Sequence, residues 1–219
     1  MLRSIGLICG LLLACHSNAQ GFKFPSEQEE QQRAQAEEKA REDKLRALLA
    51  TPCRSNLKQK KIMVLIAERR NGLLMTRQSG YGAHVEAINH GLRKLGLKTY
   101  TQEQIRQQIA QAEVDAYFKN DPDAALSASK RLAASYVLRG VIETEANQNP
   151  IIPVNQINVD MQFTLSGADG RTIAETSKSN ASGAGANVHG ATLELVKESG
   201  EEVIAELYSS YCKKAGATR

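Results

Sequence analysis

The 219-residue sequence has no tryptophan, and aromatic residues make up only 5% of it. Carbohydrate platforms and aromatic-lined ligand pockets are built from such rings, so both classes are disfavoured. Charge of one sign is lacking too: 28 Lys and Arg stand against 24 Asp and Glu, a formal net charge of +4. That balance is too mild for a nucleic-acid-binding domain, and no nucleic-acid partner is expected. After residue 20 no apolar run approaches the length a membrane-crossing helix needs, so none is expected in the rest of the chain.

Signals for catalysis are equally sparse. The sequence has no Gly-x-Ser-x-Gly elbow and no Walker loop, and Gly183-Ala184-Gly185 lacks the third glycine of a dinucleotide fingerprint. His84 and His90 lie six residues apart on a predicted helix, about 240° around its axis, and cannot share a metal. His189 stands alone in a glycine-rich stretch, and His16 falls in the N-terminal segment. No catalytic residue, metal site or cofactor is therefore expected, and the chain is read as non-enzymatic.

What is present begins with MLRSIGLICGLLLACHSNAQ. Arg3 gives it a positive start, Ile5 to Ala14 an apolar centre, and a short polar stretch follows, the order of a secretory signal. Two cleavage points compete. Ser17-Asn18-Ala19 offers small residues to signal peptidase and would release Gln20 as the new N-terminus. Leu12-Leu13-Ala14-Cys15 resembles a lipobox, in which Cys15 is acylated and becomes the first residue. Residues 1–19, or 1–14 for a lipoprotein, are thus a targeting segment. The expected location is the periplasm, or the periplasmic side of the outer membrane if Cys15 carries a lipid anchor. Of the four cysteines, Cys9 lies in the signal and Cys15 is removed or acylated. Cys53 and Cys212 remain as the only pair in an oxidising compartment, and a disulfide between them is expected.

Residues 20–50 form a polar arm rich in Glu, Gln, Ala, Lys and Arg, all strong helix formers. Glu29/Arg33, Glu37/Arg41 and Glu42/Arg46 stand at i,i+4 with the acid first, the better orientation. The a and d positions of a coiled coil are not apolar through several heptads, so the arm reads as a solvated helical spacer roughly 30 Å long, or a disordered tether.

Residues 51–213 form the globular part, followed by a tail over 214–219. Lys61 to Ala67 is a continuous apolar run of the kind a central strand shows. A Gly-, Asn- and Arg-rich loop is predicted from Glu68 to Gly82. Val85, Ile88, Leu92 and Leu95 mark a helix closed by Gly96, and Leu97 to Tyr100 a second strand. Thr101 and Gln104 form a capping box opening a helix that carries Ile105, Ile109 and Ala112. Pro122 starts another, to about Ala133. Ser135 to Thr144 is a buried strand. Beyond a loop at 147–156, Ile157 to Leu165 alternates apolar and polar, giving a strand with one wet face. Ala168 to Arg171 turns it into a partner strand near Thr172. Ser179 to Gly190 reads as loop, or as loop after an extension of the hairpin, and a final helix ends near Cys212. The order βαβααβββα, preceded by the arm, implies an α+β sandwich: a mixed sheet with helices packed on it.

The basic cluster Arg54, Lys58, Lys60, Lys61 precedes the first strand, and Arg69, Arg70 and Arg77 follow it. These residues read as ordinary solvated charge, with an acidic partner or anionic headgroups near a membrane as the alternative.

Three segments carry a family resemblance: KKIMVLIAERRNG, AINHGLRKLGLKTYTQEQI and AASYVLRGVIETE. Their pattern and order resemble a group of bacterial envelope proteins. The group includes the N-terminal domain of the Tol-system propeller protein, the curli-secretion lipoprotein, the lipoprotein activators of penicillin-binding proteins and the middle domain of a flagellar assembly protein. The resemblance covers about 150 residues, from Lys61 to Cys212. It implies a sheet with helices on one face, similar to anticodon-binding domains, and a non-enzymatic role docking partners or assembling into rings. The long membrane-crossing insertions of the secretion channel are not evident, which argues against a pore. The resulting expectation is an accessory or scaffold protein that docks envelope protein partners in a flagellar, pilus, secretion or cell-wall machine, with a homo-oligomer also open. The alternative is a periplasmic small-ligand-binding protein or hydrolase using the 69–82 and 179–190 loops.

Overall fold

The computed structural model describes residues 27–54, 57–70, 72–148, 151, 155–183 and 188–217. The signal segment and the lipobox cysteine Cys15 lie outside the described residues. The chain divides into two compact units, residues 1–40 and 41–219.

Helix α1, Glu27–Leu49, has no buried residue. Its composition explains the helix, since almost every side chain is a strong helix former and none needs a core. In the first unit Arg33 pairs with Glu37 at 3.5 Å, one turn apart. Its last turns, from Arg41 on, belong to the second unit.

Six strands make one mixed sheet: β1 (Lys61–Arg70), β2 (Leu73–Met75), β3 (Lys98–Thr99), β4 (Tyr136–Gln148), β5 (Asn155–Gly167) and β6 (Thr172–Gly183). The path is β2-β1-β4-β5-β6, with β3 also paired to β1. β1 runs parallel to β3 and β4, and the remaining pairs are antiparallel. Between the strands lie α2 (Gly82–Lys94), α3 (Gln102–Gln108), α4 (Gln111–Phe118), α5 (Pro122–Leu132) and α6 (Val188–Ala217). This is the α+β arrangement implied by the sequence, open rather than closed into a barrel, but helices pack on both faces of the sheet and not on one as the resemblance implied.

Side-chain alternation along the strands sends two cores to opposite faces. Ile62, Val64 and Ile66 of β1, Leu138 and Ile142 of β4, and Ile157 to Leu165 of β5 pack with Val85, Ile88 and Leu92 of α2 and Val196, Val203 and Ile204 of α6. Met63, Leu65 and Ala67 of β1 and Val137 of β4 face the other way, against Ile105, Val114, Phe118, Ala128 and Leu132 of α3 to α5. β1 is covered on both faces, which is why its sequence is apolar without alternation. Gly140 of β4 is required by close approach. A Cβ there would lie 2.5 Å from the Phe163 ring and 2.6 Å from Ile66.

Three helices end in the same motif, in which a residue with positive φ lets its own amide and the next one turn back onto the last turn. For α2 the residue is Gly96 (φ 85°), with Gly96 N–H donating to Arg93 and Leu97 N–H to Leu92. For α4 it is Asn120 (φ 68°) and for α5 Ala133 (φ 49°). The capping box of Thr101 and Gln104 is formed as expected, and Asp121 caps α5 ahead of Pro122.

Several boundaries differ from the sequence reading. The single helix expected from Thr101 is two, because Ile109 and Ala110 adopt extended backbone between α3 and α4. The loop expected from Glu68 to Gly82 holds the end of β1, a hairpin turn through Gly72 (φ 77°), strand β2 and a 3₁₀ turn at Gln78–Gly80. The loop expected over 179–190 instead continues β6 to Gly183 and starts α6 at Val188.

Gln78 shows how one buried amide can end a sheet. Its side chain is 2% exposed, donates to the carbonyl oxygens of Ile66 (2.8 Å) and Thr76 (2.6 Å), and accepts from Ile66 N–H (3.2 Å). It replaces a strand partner for β1 just past the short β2. Gln78→Leu is expected to leave both Ile66 groups unpaired and to destabilise by about 2 kcal/mol, since orphaned buried polar groups cost roughly 1–3 kcal/mol each. Urea denaturation measures it; an unchanged midpoint would refute this role.

Candidate functional site

Three regions of the second unit gather polar or reactive groups. The first is the root of the arm. Cys53 and Cys212 are bonded with Cα atoms 4.6 Å apart, and 159 residues separate them. Just before this bond Thr51 and Ser209 share a hydroxyl hydrogen bond of 2.8 Å, and Tyr208 donates to the Thr51 carbonyl at 3.4 Å. Lys44, in the last turns of α1, donates to Glu202 and, at 3.0 Å, to Glu206 of α6. Lys178 of β6 reaches Glu202 at 2.6 Å, and Thr176 donates to Glu206 at 2.5 Å. Residues 41–53 are thereby clamped along α6.

Burial by itself pushes the Glu202 carboxyl up, but the ammonium groups of Lys178 and Lys44 outweigh it and hold the carboxyl below its ordinary range. The Lys44 ammonium is held above its ordinary value by the hydrogen bonds to Glu202 and Glu206. A depressed carboxyl stabilises above its unfolded pKa and loses that contribution as pH falls through its folded value. Acidification below about pH 4 is therefore expected to release the 41–49 segment, since unperturbed Glu titrates near there. Hydrogen-exchange protection of amides 41–49 that fell no faster between pH 6 and pH 3 than that of β1 would contradict this.

The second region is the far face of β4, β5 and β6. Asp160, Gln162, Glu175, Ser177, Ser179 and Ala181 point away from α6 and are exposed, as is Glu145 of β4. The helices α3 to α5 cover β1, the start of β4 and, through Tyr117, the end of β5 at Ser166, with Arg139 held at their border against the rings of Tyr117 and Phe118. Arg139 donates to Asn120 at 3.0 Å and to the Phe118 carbonyl at 3.1 Å. Arg69 sits 3.7 Å from Glu143. β6, 12 residues long, pairs only with β5 among the described strands, so its outer edge is open. The face thus carries Glu145, Asp160 and Glu175 on a protein whose net charge is positive.

The third region is the C-terminal end of β1. Glu68 is 9% exposed and accepts from Arg70 at 2.7 Å, and Tyr81 donates to the Met75 carbonyl at 3.0 Å. His84, in the first turn of α2, is 4% exposed, and no hydrogen bond reaches its Nδ1. Burial, reinforced by the neighbouring imidazole, holds His84 below its ordinary pKa, with the Glu68 carboxylate opposing. The neighbour is His189, with ring centres 5.6 Å apart. This corrects the sequence reading of His189 as alone in a loop: it lies in the first turn of α6. Spacing along the chain gave no sign of the pair, because 105 positions separate the two. Among the described residues no group of three or more His, Cys, Asp or Glu is arranged to hold a metal.

The two basic clusters do not form one patch. They lie at opposite ends of β1, and Arg69 and Arg70 already have acidic partners. Lys61 lies over the Tyr100 ring at 5.9 Å. No described helix is long and apolar enough to cross a membrane.

No family model matches the chain, and no curated protein matches it. Solved structures similar to this one include lipoprotein GNA1162 from Neisseria meningitidis, 15% identical, covering 66% of this chain and 97% of that one with a TM-score of 0.41. The PelC dodecamer from Paraburkholderia phytofirmans is 14% identical, with coverage of 74% and 94% and a TM-score of 0.39. The C-terminal domain of LpoB from Salmonella enterica is 15% identical, with coverage of 62% and 91% and a TM-score of 0.35. Similarity at this level assigns no activity and no partner to the chain.

Proposed function

We propose that this protein is an exported, non-catalytic accessory domain that docks another envelope protein on the open face of β4, β5 and β6. The observation that carries the reading is that face. Among the described residues one face of the antiparallel strands β4, β5 and β6 is left uncovered, edged by β6, whose outer side pairs with no described strand, and studded with Glu145, Asp160 and Glu175. An extended segment rich in Lys and Arg fits it: main-chain hydrogen bonds along β6 supply affinity, and its cations meet the carboxylates. The signal-like N-terminus and the Cys53–Cys212 bond support a location in an oxidising compartment.

In this reading the polar arm spaces the docking domain from its attachment. If the lipobox is used, that attachment is an acyl chain on Cys15 in the outer membrane, and Cys15→Ser would shift the protein into the soluble periplasmic fraction. The larger machine is of the flagellar, pilus, secretion or cell-wall type.

The test is quantitative mass spectrometry of complexes purified from crosslinked envelopes. Wild-type protein should enrich one partner stoichiometrically, and the triple reversal E145K/D160K/E175K, folded by circular dichroism, should lose it. No stoichiometric partner, or a partner indifferent to the reversal, would overturn the proposal.

A further inference from the structure

We propose that His84 and His189 bind one divalent transition-metal ion of the Zn²⁺ or Cu²⁺ type, linking the first turns of α2 and α6. The two imidazole rings meet edge-on, with centres 5.6 Å apart and planes inclined at 64°. Two imidazoles sharing one ion stand roughly 5–6 Å apart between ring centres, because each ligating nitrogen lies about 2 Å from the ion. The separation in the protein falls in that range without any movement of the backbone.

A second observation is independent of the spacing. His84 is 4% exposed, and its Nδ1 is buried with no hydrogen-bond partner. Buried polar atoms are nearly always satisfied, and an orphaned one costs roughly 1–3 kcal/mol. Neutral imidazole nitrogen is a strong ligand for Zn²⁺, Cu²⁺ and Ni²⁺, so an ion bound there would supply the missing interaction. The Glu68 carboxylate of β1, itself paired with Arg70, acts on His84 against the burial and the neighbouring imidazole. Tyr81, the remaining ring against His84, has its hydroxyl turned to the Met75 carbonyl.

His189 is exposed, which gives an ion a route in and lets that ring turn to meet it. No third protein ligand completes the site among the described residues, so water fills the other positions. The site is therefore open and exchangeable rather than a closed structural centre. Its effect is mechanical: it ties together the starts of the two helices that pack on the same face of the sheet. The inference does not depend on the docking reading.

The experiment uses the full exported chain, purified without a histidine tag and stripped of metal with a chelator. Calorimetric titration with ZnCl₂ and with CuCl₂ should give one ion per chain and a raised melting temperature. His189→Ala, an exposed substitution that leaves the core intact, should weaken binding at least tenfold and abolish the thermal shift. His90→Ala, on an exposed face of α2, should change neither. Electron paramagnetic resonance of the Cu²⁺ form should show coupling to two nitrogens in wild type and one in His189→Ala. Absence of saturable binding, equal affinity in His189→Ala, or an unchanged nitrogen count would overturn the proposal.

Discussion

Replacing Cys53 and Cys212 together by alanine is expected to cost a large share of the stability of residues 41–217. The bond closes a loop of 159 residues of sequence separation. Loop-closure entropy for a ring of that size gives about 5 kcal/mol, an upper figure because native strain subtracts from it. For a domain of this length each kcal/mol moves the melting temperature by about 2–4 °C, so a fall of up to about 10–20 °C is expected. The position of the bond sharpens the expectation. Cys212 is 1% exposed on α6, and Cys53 directly follows the segment that Lys44, Thr51 and Tyr208 tie to the same helix. Losing the bond should therefore also free residues 41–53, visible as faster amide exchange there than in β1. A double variant that melted at the wild-type temperature and kept protection over 41–53 would contradict the structure.

The second large effect is expected at Phe163. Its ring is 1% exposed and lies against Gly140, where even a methyl group would meet it at 2.5 Å. Truncation to alanine removes a buried ring from the middle of the α6-facing core, and such changes cost about 3–5 kcal/mol. Gly140→Ala should also destabilise, by about 1–3 kcal/mol, because the added Cβ overpacks the same spot. The pair makes a sharper test than either alone. In the Gly140→Ala, Phe163→Leu double variant the branched but smaller side chain leaves room for the methyl group. The loss should then be smaller than the sum of the two single losses. Strict additivity in chemical denaturation would show that the two residues do not share the space described.

Much of this architecture was legible in the residues. The unbroken apolar run from Ile62 to Ala67 marked a strand buried on both sides, and the alternation from Ile157 to Leu165 marked one with a wet face. Both patterns are local, since period alone reports which faces are covered. Thr101, Gln104, Asp121 and Pro122 marked helix starts because capping chemistry involves only neighbours in sequence. The less legible parts depend on tertiary contact. Strand β2 has only three residues, and it is defined by pairing with Glu68 to Arg70 rather than by any pattern of its own. The break at Ile109 and Ala110 follows no proline or glycine, because Ile109 turns inward to the core while α4 starts anew. The meeting of His84 with His189 is invisible in sequence for the same reason: helices that pack side by side bring together residues unrelated by spacing.

The open sheet face was readable only in part. The polar positions of β5 announced a wet face, but which strand formed the edge was not encoded in any one segment. Its edge position follows from the order β1-β4-β5-β6, which is set by the parallel crossover through α5 and the two hairpins after it.

The central claim is that this face, not the helical side, meets a partner in the envelope. The most direct measurement is site-specific photocrosslinking in intact cells, with the reactive residue placed in turn at Gln162, Ser177, Lys197 and Arg106. Gln162 and Ser177 lie on the open face, Lys197 on the outer side of α6 and Arg106 on α3. The account predicts one discrete adduct, of the same mass, from Gln162 and Ser177 and none from Lys197 or Arg106. Adducts from the helical positions alone, or none from the face, would contradict it.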